Sequence, residues 1–565
     1  MNSETKTCKN CKKNFQIEPD DFGFYEKMGL QTPDLCVECR AQLRHIFRNE
    51  RNFYKRNCDL CGESMITIWS PNKETPIYCV ACWWSDKWDP YEYGASYNPA
   101  RSFFEQVGDL YKKVPKPALV GMRNVDSNYV NYVADCNRCY MIVESSNNED
   151  CIHCYWIQLS KDLVDCSFTN KVERSYESDD CYDSYGLLYS KSCHSCTDSY
   201  FLLDCRGCTD CIGSINLRNK SNCIFNIQYS KEEYEKIKKE MRLDTHSGAE
   251  DLRKKFALFI KDKPRKFAEA TNTVGSTGNY LVNVKNSRNC FHSYNGEDNA
   301  YSVHLWREAK DCFDCHTAGR SVEKIYNSTN TGIQASNCIC CHNCWSSNFV
   351  EYSFNCPNGN NLFGCMAIKK GTYSILNKQY GETEYKKIRA EIVDALKKKN
   401  KYGEFFPKEL MLFGYNETTA MEEFPLSREE ALAQGFKWED TPRGTYGQET
   451  KKSDEIPNSI GDVDFDVTKE IFSCRECDKN YRIIENEFLF YKKLAIPLPR
   501  LCPDCRHGLR MSSRGPNKLW HRACMCDKSN HVHGGEKCDI EFETSYAPER
   551  PEIIYCEKCY QQEVY

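Results

Sequence analysis

Apolar and polar positions repeat at a short fixed step in the centre of the chain. A cysteine recurs at every fifteenth position there, and a neighbouring column at the same step is aliphatic. The cysteine column is Cys136, Cys151, Cys166, Cys181, Cys196 and Cys211. Small and aliphatic residues in register are typical of a β-solenoid, whose rungs stack about 4.8 Å apart. We therefore predict a mainly β protein whose first Cys-rich solenoid, 131–229, has 15-residue rungs.

A second solenoid is predicted over residues 271–380, with less regular rungs. Its closing sequence Asn377-Lys378-Gln379-Tyr380 matches the earlier Asn226-Ile227-Gln228-Tyr229. After the first solenoid, Ser230 and Glu233 form the sequence of a capping box, which predicts a helical hairpin over 230–270. A few α-helices of this kind would cap the solenoids, and a helical segment over 381–436 follows the second one.

The remaining segments differ in composition. Residues 90–130 are rich in aromatic side chains, so we interpret them as a cap or connector for an open solenoid end. Residues 437–470 are polar and acidic, which is typical of a linker. The two ends of the chain, 1–89 and 471–565, carry paired CxxC motifs and are predicted to be tandem zinc ribbons.

The 38 cysteines are interpreted through the expected compartment. The chain has 565 residues and a net charge of −5, so no global charge draws it toward nucleic acid or membranes. Its mean hydropathy of −0.70 and the lack of a long apolar run predict no membrane partner. The first residues resemble no secretory signal, so we expect a cytoplasmic protein, in which paired CxxC motifs indicate metal rather than disulfides.

Four structural Zn²⁺ sites are predicted from the cysteine spacing. Two CxxC pairs can place four thiolates tetrahedrally around Zn²⁺ and leave no open coordination position. Three predicted ligand sets are Cys8, Cys11, Cys36 and Cys39; Cys58, Cys61, Cys79 and Cys82; and Cys474, Cys477, Cys502 and Cys505. In the last set we favour Cys526, Cys538, Cys556 and Cys559, although Cys524 could replace one of them. An insertion there also carries His531 and His533.

The N-terminal sequence CKNCKKNFQIEPDDFGFYEKMGLQTPDLCVECR resembles the probable zinc-ribbon (treble-clef-like) family. The whole chain also resembles a group of long zinc-ribbon proteins from small-genome (candidate-phyla) bacteria, which share the terminal ribbons, the WWSDKWDP segment and NKQY-type motifs. This resemblance implies an architecture and no activity.

Basic residues after each first ribbon suggest a nucleic-acid interface. They recur three or four positions apart, so within a helix they would share one face. In the second stripe, Gly515 and Pro516 must interrupt any helix, so its last two basic residues follow a turn. The two stripes are Arg40, Arg44, Arg48, Arg51 and Lys55, and Arg506, Arg510, Arg514, Lys518 and Arg522. Such a stripe could bind the phosphates of RNA or DNA. The alternatives are a solvated helix face, or arginines that lie over ribbon aromatics.

The remaining motifs give no catalytic signature. Cys312, Cys315 and His316 match the CxxCH haem pattern, but covalent haem attachment does not fit the expected compartment. The cluster between Cys338 and Cys344 is either a fifth metal site or a set of stacked rung cysteines. We therefore predict a non-enzymatic zinc-binding protein that binds nucleic acid. One alternative is a scaffold that binds a protein partner on the solenoid faces, and a more remote one is an enzyme acting through the His342 cluster.

Overall fold

The computed structural model describes residues 2–306, 308–319, 326–330, 334–534 and 536–565. In it, two β-solenoids lie side by side and four Cys-rich modules pack against them. The prediction of a mainly β, Cys-rich solenoid fold with a few helices is confirmed. We define the modules by their residues: the first and second N-terminal modules are 2–48 and 49–89, and the first and second C-terminal modules are 471–514 and 515–565.

The predicted rung length was wrong, because each rung of the first solenoid is three residues shorter than expected. Cys151 pairs with Leu163, and Cys211 pairs with Cys223, in parallel register. A left-handed backbone residue recurs at nearly every third position, so each rung has four sides of three residues. The predicted step of 15 residues equals one rung of 12 residues plus one side of three. It therefore connects inward residues that lie on successive sides of the stack. Both steps are multiples of three, so both keep to inward positions.

The first solenoid is built from short strands that pair in parallel, except for the last, which turns back on its neighbour. Its strands are Gly121–Met122, Asn131–Ala134, Val143–Ser146, Glu149–Ile152, Lys161–Val164, Asn170–Tyr176, Tyr182–Tyr185, Thr209–Ile212, Ser221–Ile224 and Ile227–Gln228. Helices Lys231–Glu240 and His246–Phe259 then close this end, and Ser230 and Glu233 form the predicted capping box.

The second solenoid has rungs of unequal length. The separation between paired residues is 11 for Ala270 and Leu281, 12 for Leu281 and Ser293, and 13 for Val303 and His316. Its strands are Ala270–Thr271, Gly278–Val282, Cys290–Tyr294, Val303–Trp306, His316–Gly319, Asn348–Glu351, Asn360–Phe363, Thr372–Ile375 and Lys378–Gln379, followed by helix Glu382–Lys398. These single-residue differences break the sequence period without breaking the stack.

The modules and connectors supply the remaining elements. The N-terminal elements are strands Glu4–Thr7, Asn14–Ile17, Tyr54–Asn57, Ser64–Thr67, Ile77–Tyr78 and Lys116–Pro117, helices Pro19–Lys27, Val37–His45, Val80–Trp84 and Phe103–Lys113, and the 3-10 helix Pro90–Tyr93. The C-terminal strands are Arg265–Lys266, Lys451–Lys452, Phe472–Ser473, Asn480–Tyr481, Trp520–Ala523, Glu541–Thr544 and Ile554–Tyr555. The C-terminal helices are Ala420–Glu423, Arg428–Ala433, Glu485–Leu494, Pro503–Ser512 and Glu557–Val564, with 3-10 helices Lys408–Leu410, Tyr415–Glu417, Ser453–Glu455, Ile460–Asp462 and Phe465–Lys469.

Small polar side chains inside the solenoid satisfy the backbone at its corners. Ser145 Oγ donates to the carbonyl of Val143 and accepts the N–H of Ile157, which lies one rung further on. The thiol of Cys151 donates to the carbonyl of Glu149. A buried backbone group without a partner would cost about 1–3 kcal/mol, so Ser and Cys suit an interior that bends at every third position.

Each first module packs on the solenoid of the other half of the chain. The first N-terminal module packs on the second solenoid, where Phe24 stacks on Phe313 at 3.7 Å between ring centroids. The first C-terminal module packs on the first solenoid, where Tyr491 meets Tyr176 edge to face. The aromatic connector predicted for the first solenoid instead covers the last rungs of the second, because Phe103 packs on Phe363.

Candidate metal centres and the buried arginine stripes

The first N-terminal module brings its four predicted cysteines together. Cys8 and Cys11 lie in the turn of a hairpin, and Cys36 is the N-cap residue of helix Val37–His45, which carries Cys39. The four sulfurs lie within 4.8 Å of one another, and those of Cys11 and Cys36 are 3.7 Å apart. Thiolates about 2.3 Å from a tetrahedral zinc lie about 3.8 Å from each other, so this group could hold a metal ion.

The same group recurs in the second N-terminal module and the first C-terminal module. Cys58, Cys61, Cys79 and Cys82 form one group, and Cys474, Cys477, Cys502 and Cys505 form the other. The Cys477 and Cys502 sulfurs are 3.7 Å apart, which matches the distance in the first module. Three of the four predicted cysteine sets therefore lie together as the spacing indicated.

In the last module, the thiol set differs from the one we favoured. Cys524, rather than Cys526, lies with Cys538, Cys556 and Cys559. In all four modules the first cysteine sulfur accepts the N–H of the third cysteine: Cys8 from Cys36, Cys58 from Cys79, Cys474 from Cys502, and Cys524 from Cys556, at 3.2 or 3.3 Å. This hydrogen bond identifies Cys524 as the counterpart of Cys8. Cys526 lies instead in a second group with His531 and His533.

The first cysteine of each N-terminal module accepts backbone hydrogen bonds that favour its thiolate. Burial acts to raise the pKa of Cys8, but three backbone N–H groups outweigh it and lower the pKa to about 6. The same balance lowers the pKa of Cys58 to about 7. At these two positions the surroundings favour the thiolate, which is the form of cysteine that binds a metal.

The N-terminal arginine stripe faces inward, against the second solenoid and its surroundings. Arg40 Nε lies 2.9 Å from Asp314 Oδ2, and Arg44 Nη1 lies 3.6 Å from Asp314 Oδ1. Arg48 is fully buried and pairs with Glu50 and Glu144. These guanidinium groups hold the module on the solenoids, so they cannot reach the phosphates of a nucleic acid.

The C-terminal stripe makes equivalent contacts with the first solenoid. Arg506 Nε and Arg510 Nη1 lie 2.8 and 3.1 Å from the two oxygens of Asp165. Arg514 pairs with Asp179 and Asp180 and lies over the ring of Phe168. The nucleic-acid prediction for these six arginines is therefore corrected. Each is at most 8% exposed, because the module presses the stripe against acidic side chains.

Four residues of the predicted stripes lie elsewhere. Lys55 and Lys518 are exposed, and Arg51 is partly buried. Arg522 donates to the carbonyl of Ala547. The four do not extend into a continuous basic surface with the stripe arginines, because those arginine side chains are buried.

Sequence reasoning missed the acidic partners of the arginines. Asp165 and Asp314 each precede an inward cysteine, Cys166 or Cys315, at a left-handed corner of a rung. The available signal was that the two aspartates stand at nearly corresponding positions of the two solenoids. Their contact with arginines from the opposite end of the chain had no local signal.

The dense thiol cluster of the second solenoid belongs to the stack. Cys338, Cys341 and Cys344 lie in the buried interior, whereas the Cys340 sulfur faces the carbonyl of Glu404 at 3.3 Å. His342 Nε2–H donates to the carbonyl of Phe47. These side chains form no candidate metal group in the part of the chain that the structure describes. Cys312 and Cys315 are likewise buried in the stack.

A cavity of about 630 Å³ opens between the two solenoids, three of the modules and the segment 422–446. Its polar lining includes His292, His304, Glu422, Glu423 and His507. His507 Nε2 lies 3.4 Å from Glu422 Oε2. The sequence did not indicate this cavity, because residues from distant parts of the chain form its walls.

No family model matches the chain, and no curated protein matches it. Among the described residues, no helix is long and apolar enough to cross a membrane.

Proposed function

We propose that the protein is a zinc-stabilised, non-enzymatic scaffold that binds a protein partner on an exposed solenoid face. The burial of the six stripe arginines carries this proposal. Because these side chains attach the modules to the solenoids, the modules act as structural clamps. The surface left for a partner is then that of the solenoids.

Zinc is supported by the composition of the groups. Four sulfur donors in a closed set suit zinc, which has no geometric preference beyond tetrahedral coordination and no redox chemistry. Such a set leaves no position for a substrate, so these centres would stabilise the fold. Each module is too small to bury a sufficient apolar core without the metal.

One line of corners on the first solenoid is exposed or half-buried along its whole length and carries charges. We call residues 126, 138, 150, 162, 174, 186, 198 and 210, one from each rung, the acidic column. Five of them are aspartates and two are arginines: Asp126, Asp150, Asp162, Asp198 and Asp210, with Arg138 and Arg174. Lys493 of the first C-terminal module pairs with Asp162. The excess of carboxylates favours a basic protein segment and disfavours a phosphate backbone.

Retention of the full-length protein on immobilised poly-L-lysine, poly-L-glutamate and single-stranded RNA tests the partner class. We expect salt-sensitive retention on poly-L-lysine that is weakened at least threefold in the triple variant D126N/D198N/D210N. The charge-matched control is E384Q/E391Q/D394N on helix Glu382–Lys398, which should bind like the wild type. Equal loss in both variants would show that net charge alone is responsible and would refute the acidic column.

Retention on RNA would instead restore a nucleic-acid function. In that case the exposed Lys55 and Lys518 are the basic groups available from the predicted stripes, so the variant K55E/K518E should release the RNA. Retention on RNA that depends on these two lysines, together with none on poly-L-lysine, would contradict the proposed scaffold.

The cavity supports a second candidate function, the binding of a small polar ligand. Its facing imidazole and carboxyl groups could donate and accept hydrogen bonds in a partly enclosed space. A thermal-shift screen of small cationic and anionic metabolites tests this. Stabilisation that disappears in E422Q/E423Q and persists in E429Q/E430Q, on the adjacent helix Arg428–Ala433, would support the ligand site.

A further inference from the structure

The insertion in the last module places a second set of metal-binding side chains beside the first. Cys526, His531, His533 and Cys559 offer ligand atoms within 4.8 Å of one another. The Cys526 sulfur lies 3.1 Å from His531 Nδ1 and 3.3 Å from His533 Nε2. Cys559 also belongs to the group of Cys524, Cys538 and Cys556. We propose that this module holds two metal ions bridged by the Cys559 thiolate.

The two imidazoles are held in orientations suited to metal binding. His533 Nδ1 lies 2.6 Å from the carbonyl of Glu536, which can only accept a hydrogen bond, so in the neutral ring the lone pair of Nε2 is directed at Cys526. His531 directs Nδ1 at Cys526, and its Nε2 lies 3.6 Å from the carboxylate of Glu563. A carbonyl or carboxylate on the second ring nitrogen is the usual support of a histidine that binds zinc.

The shared thiolate completes the coordination of both ions. A thiolate sulfur has lone pairs for two metals, and two zinc ions about 2.3 Å from it would lie roughly 4 Å apart. The first ion would be held by four thiolates, and the second by Cys526, His531, His533 and the bridge. Without the bridge, the second ion would keep only three protein ligands.

Charge also favours the second ion. Cys524, Cys526, Cys538, Cys556 and Cys559 are all buried within one small module. Five thiolates around one divalent ion would leave a large negative charge out of water, which is costly. A second divalent ion nearly neutralises the set, and the neutral imidazoles add none.

The second N-terminal module provides a natural control. Its described residues offer a single candidate group, Cys58, Cys61, Cys79 and Cys82, with no histidine in it. Cys82 ends that module's second CxxC motif as Cys559 ends its counterpart. The two modules therefore differ by the insertion that carries the extra ligands.

Metal content and zinc X-ray absorption of the full-length protein test the proposal. We expect five zinc ions per chain, scattering from two imidazoles, and a metal–metal distance of roughly 4 Å. The double variant H531A/H533A should lose one ion and the imidazole scattering, whereas H521A, on an exposed histidine of the same module, should lose neither. Four ions without nitrogen ligands in the wild type, or five ions retained by H531A/H533A, would overturn the proposal.

A second pair of variants tests the bridge. In competition with a chromophoric chelator, C559S should release two ions readily, and C82S only one. Release of one ion by each would rule out a bridging thiolate. If C559S fails to fold, cobalt substitution of the wild type decides: two bridged Co²⁺ ions couple magnetically and lose part of their paramagnetism, whereas five uncoupled ions contradict the bridge.

Discussion

At the scale of the residue, the solenoid depends on a corner at every third position. The corners take a left-handed backbone, which asparagine and aspartate tolerate better than most residues, and this accounts for their frequency there. The next residue points inward, where cysteine and serine share the interior with aliphatic side chains such as Ile142 and Leu187. Cysteine and serine also hydrogen-bond the corner carbonyls.

Enlarging an inward cysteine should destabilise the solenoid. We expect C196L to cost about 1–3 kcal/mol of unfolding free energy, because Cys196 is fully buried in a packed interior and the extra methylenes of leucine would overpack that position. Denaturant unfolding measures it. The control T209L, on an exposed strand position, should change the free energy by less than about 0.5 kcal/mol. An unchanged midpoint for C196L would contradict an inward, packed thiol.

At the scale of the element, each first module is held by a helix whose arginines meet one buried aspartate. Arg506 and Arg510 share Asp165, and Arg40 and Arg44 share Asp314. Removing one partner leaves a buried charge without compensation, which typically costs about 3–5 kcal/mol. Through these contacts, a helix whose sequence suggests a basic surface attaches its module to the solenoid.

We predict that D165N and D314N each destabilise the attachment of one module by about 3 kcal/mol or more. Hydrogen exchange should show faster exchange in helix Pro503–Ser512 for D165N, and in helix Val37–His45 for D314N. The control D183N, on an exposed corner, should leave both helices unchanged. If either variant speeds hydrogen exchange equally in both helices, the packing of each first module on a different solenoid is contradicted.

Acid should weaken the same attachment. Burial acts to raise the pKa of Asp165, but Arg506 and Arg510 outweigh it and lower the pKa below its ordinary value. The unfolded chain therefore binds the proton first as the pH falls. The contribution of Asp165 is complete above about pH 4 and is lost at lower pH.

A comparison of unfolding free energy between pH 6 and pH 3 measures this contribution. The wild type should lose more stability over that interval than D165N, in which the titrating group is absent. If the wild type and D165N lose the same unfolding free energy between pH 6 and pH 3, Asp165 does not contribute to the acid sensitivity as predicted.

At the scale of the whole molecule, each solenoid is in contact with modules from both halves of the chain. The second N-terminal module adds strand Ile77–Tyr78 to Lys116–Pro117, ahead of the first solenoid. The second C-terminal module adds strand Ile554–Tyr555 to Arg265–Lys266, ahead of the second. Each solenoid is thus closed at one end by a module and clamped on its side by a module from the other half.

Metal removal should consequently affect the entire protein. Because metal binding supplies the folding free energy of small modules, we expect a strong zinc chelator to lower the unfolding temperature by more than about 10 °C. The open solenoid ends should then aggregate. The same chelator saturated with zinc is the control. An unchanged unfolding temperature after complete metal loss would show that the modules fold without metal.

Local patterns in the chain were enough to indicate the solenoid, the terminal cysteine groups and the capping box at Ser230. Each depends on residues that are close in sequence: a recurring inward position, a CxxC turn, or a side chain that caps its own helix. The rung length was ambiguous, because the observed step and the predicted one both join inward positions. Only the hydrogen bonds between rungs distinguish the two.

The tertiary structure alone decided what the basic stripes do and which cysteine joins the last group. Arg40 meets an aspartate 274 residues away, so its spacing on a helix could not distinguish a surface from an interface. Cys524 is selected by a backbone N–H from Cys556, 32 residues along the chain. The role of a charged side chain or a thiol depends on the group that it contacts. That group is distant in the sequence and is brought close only when the chain folds.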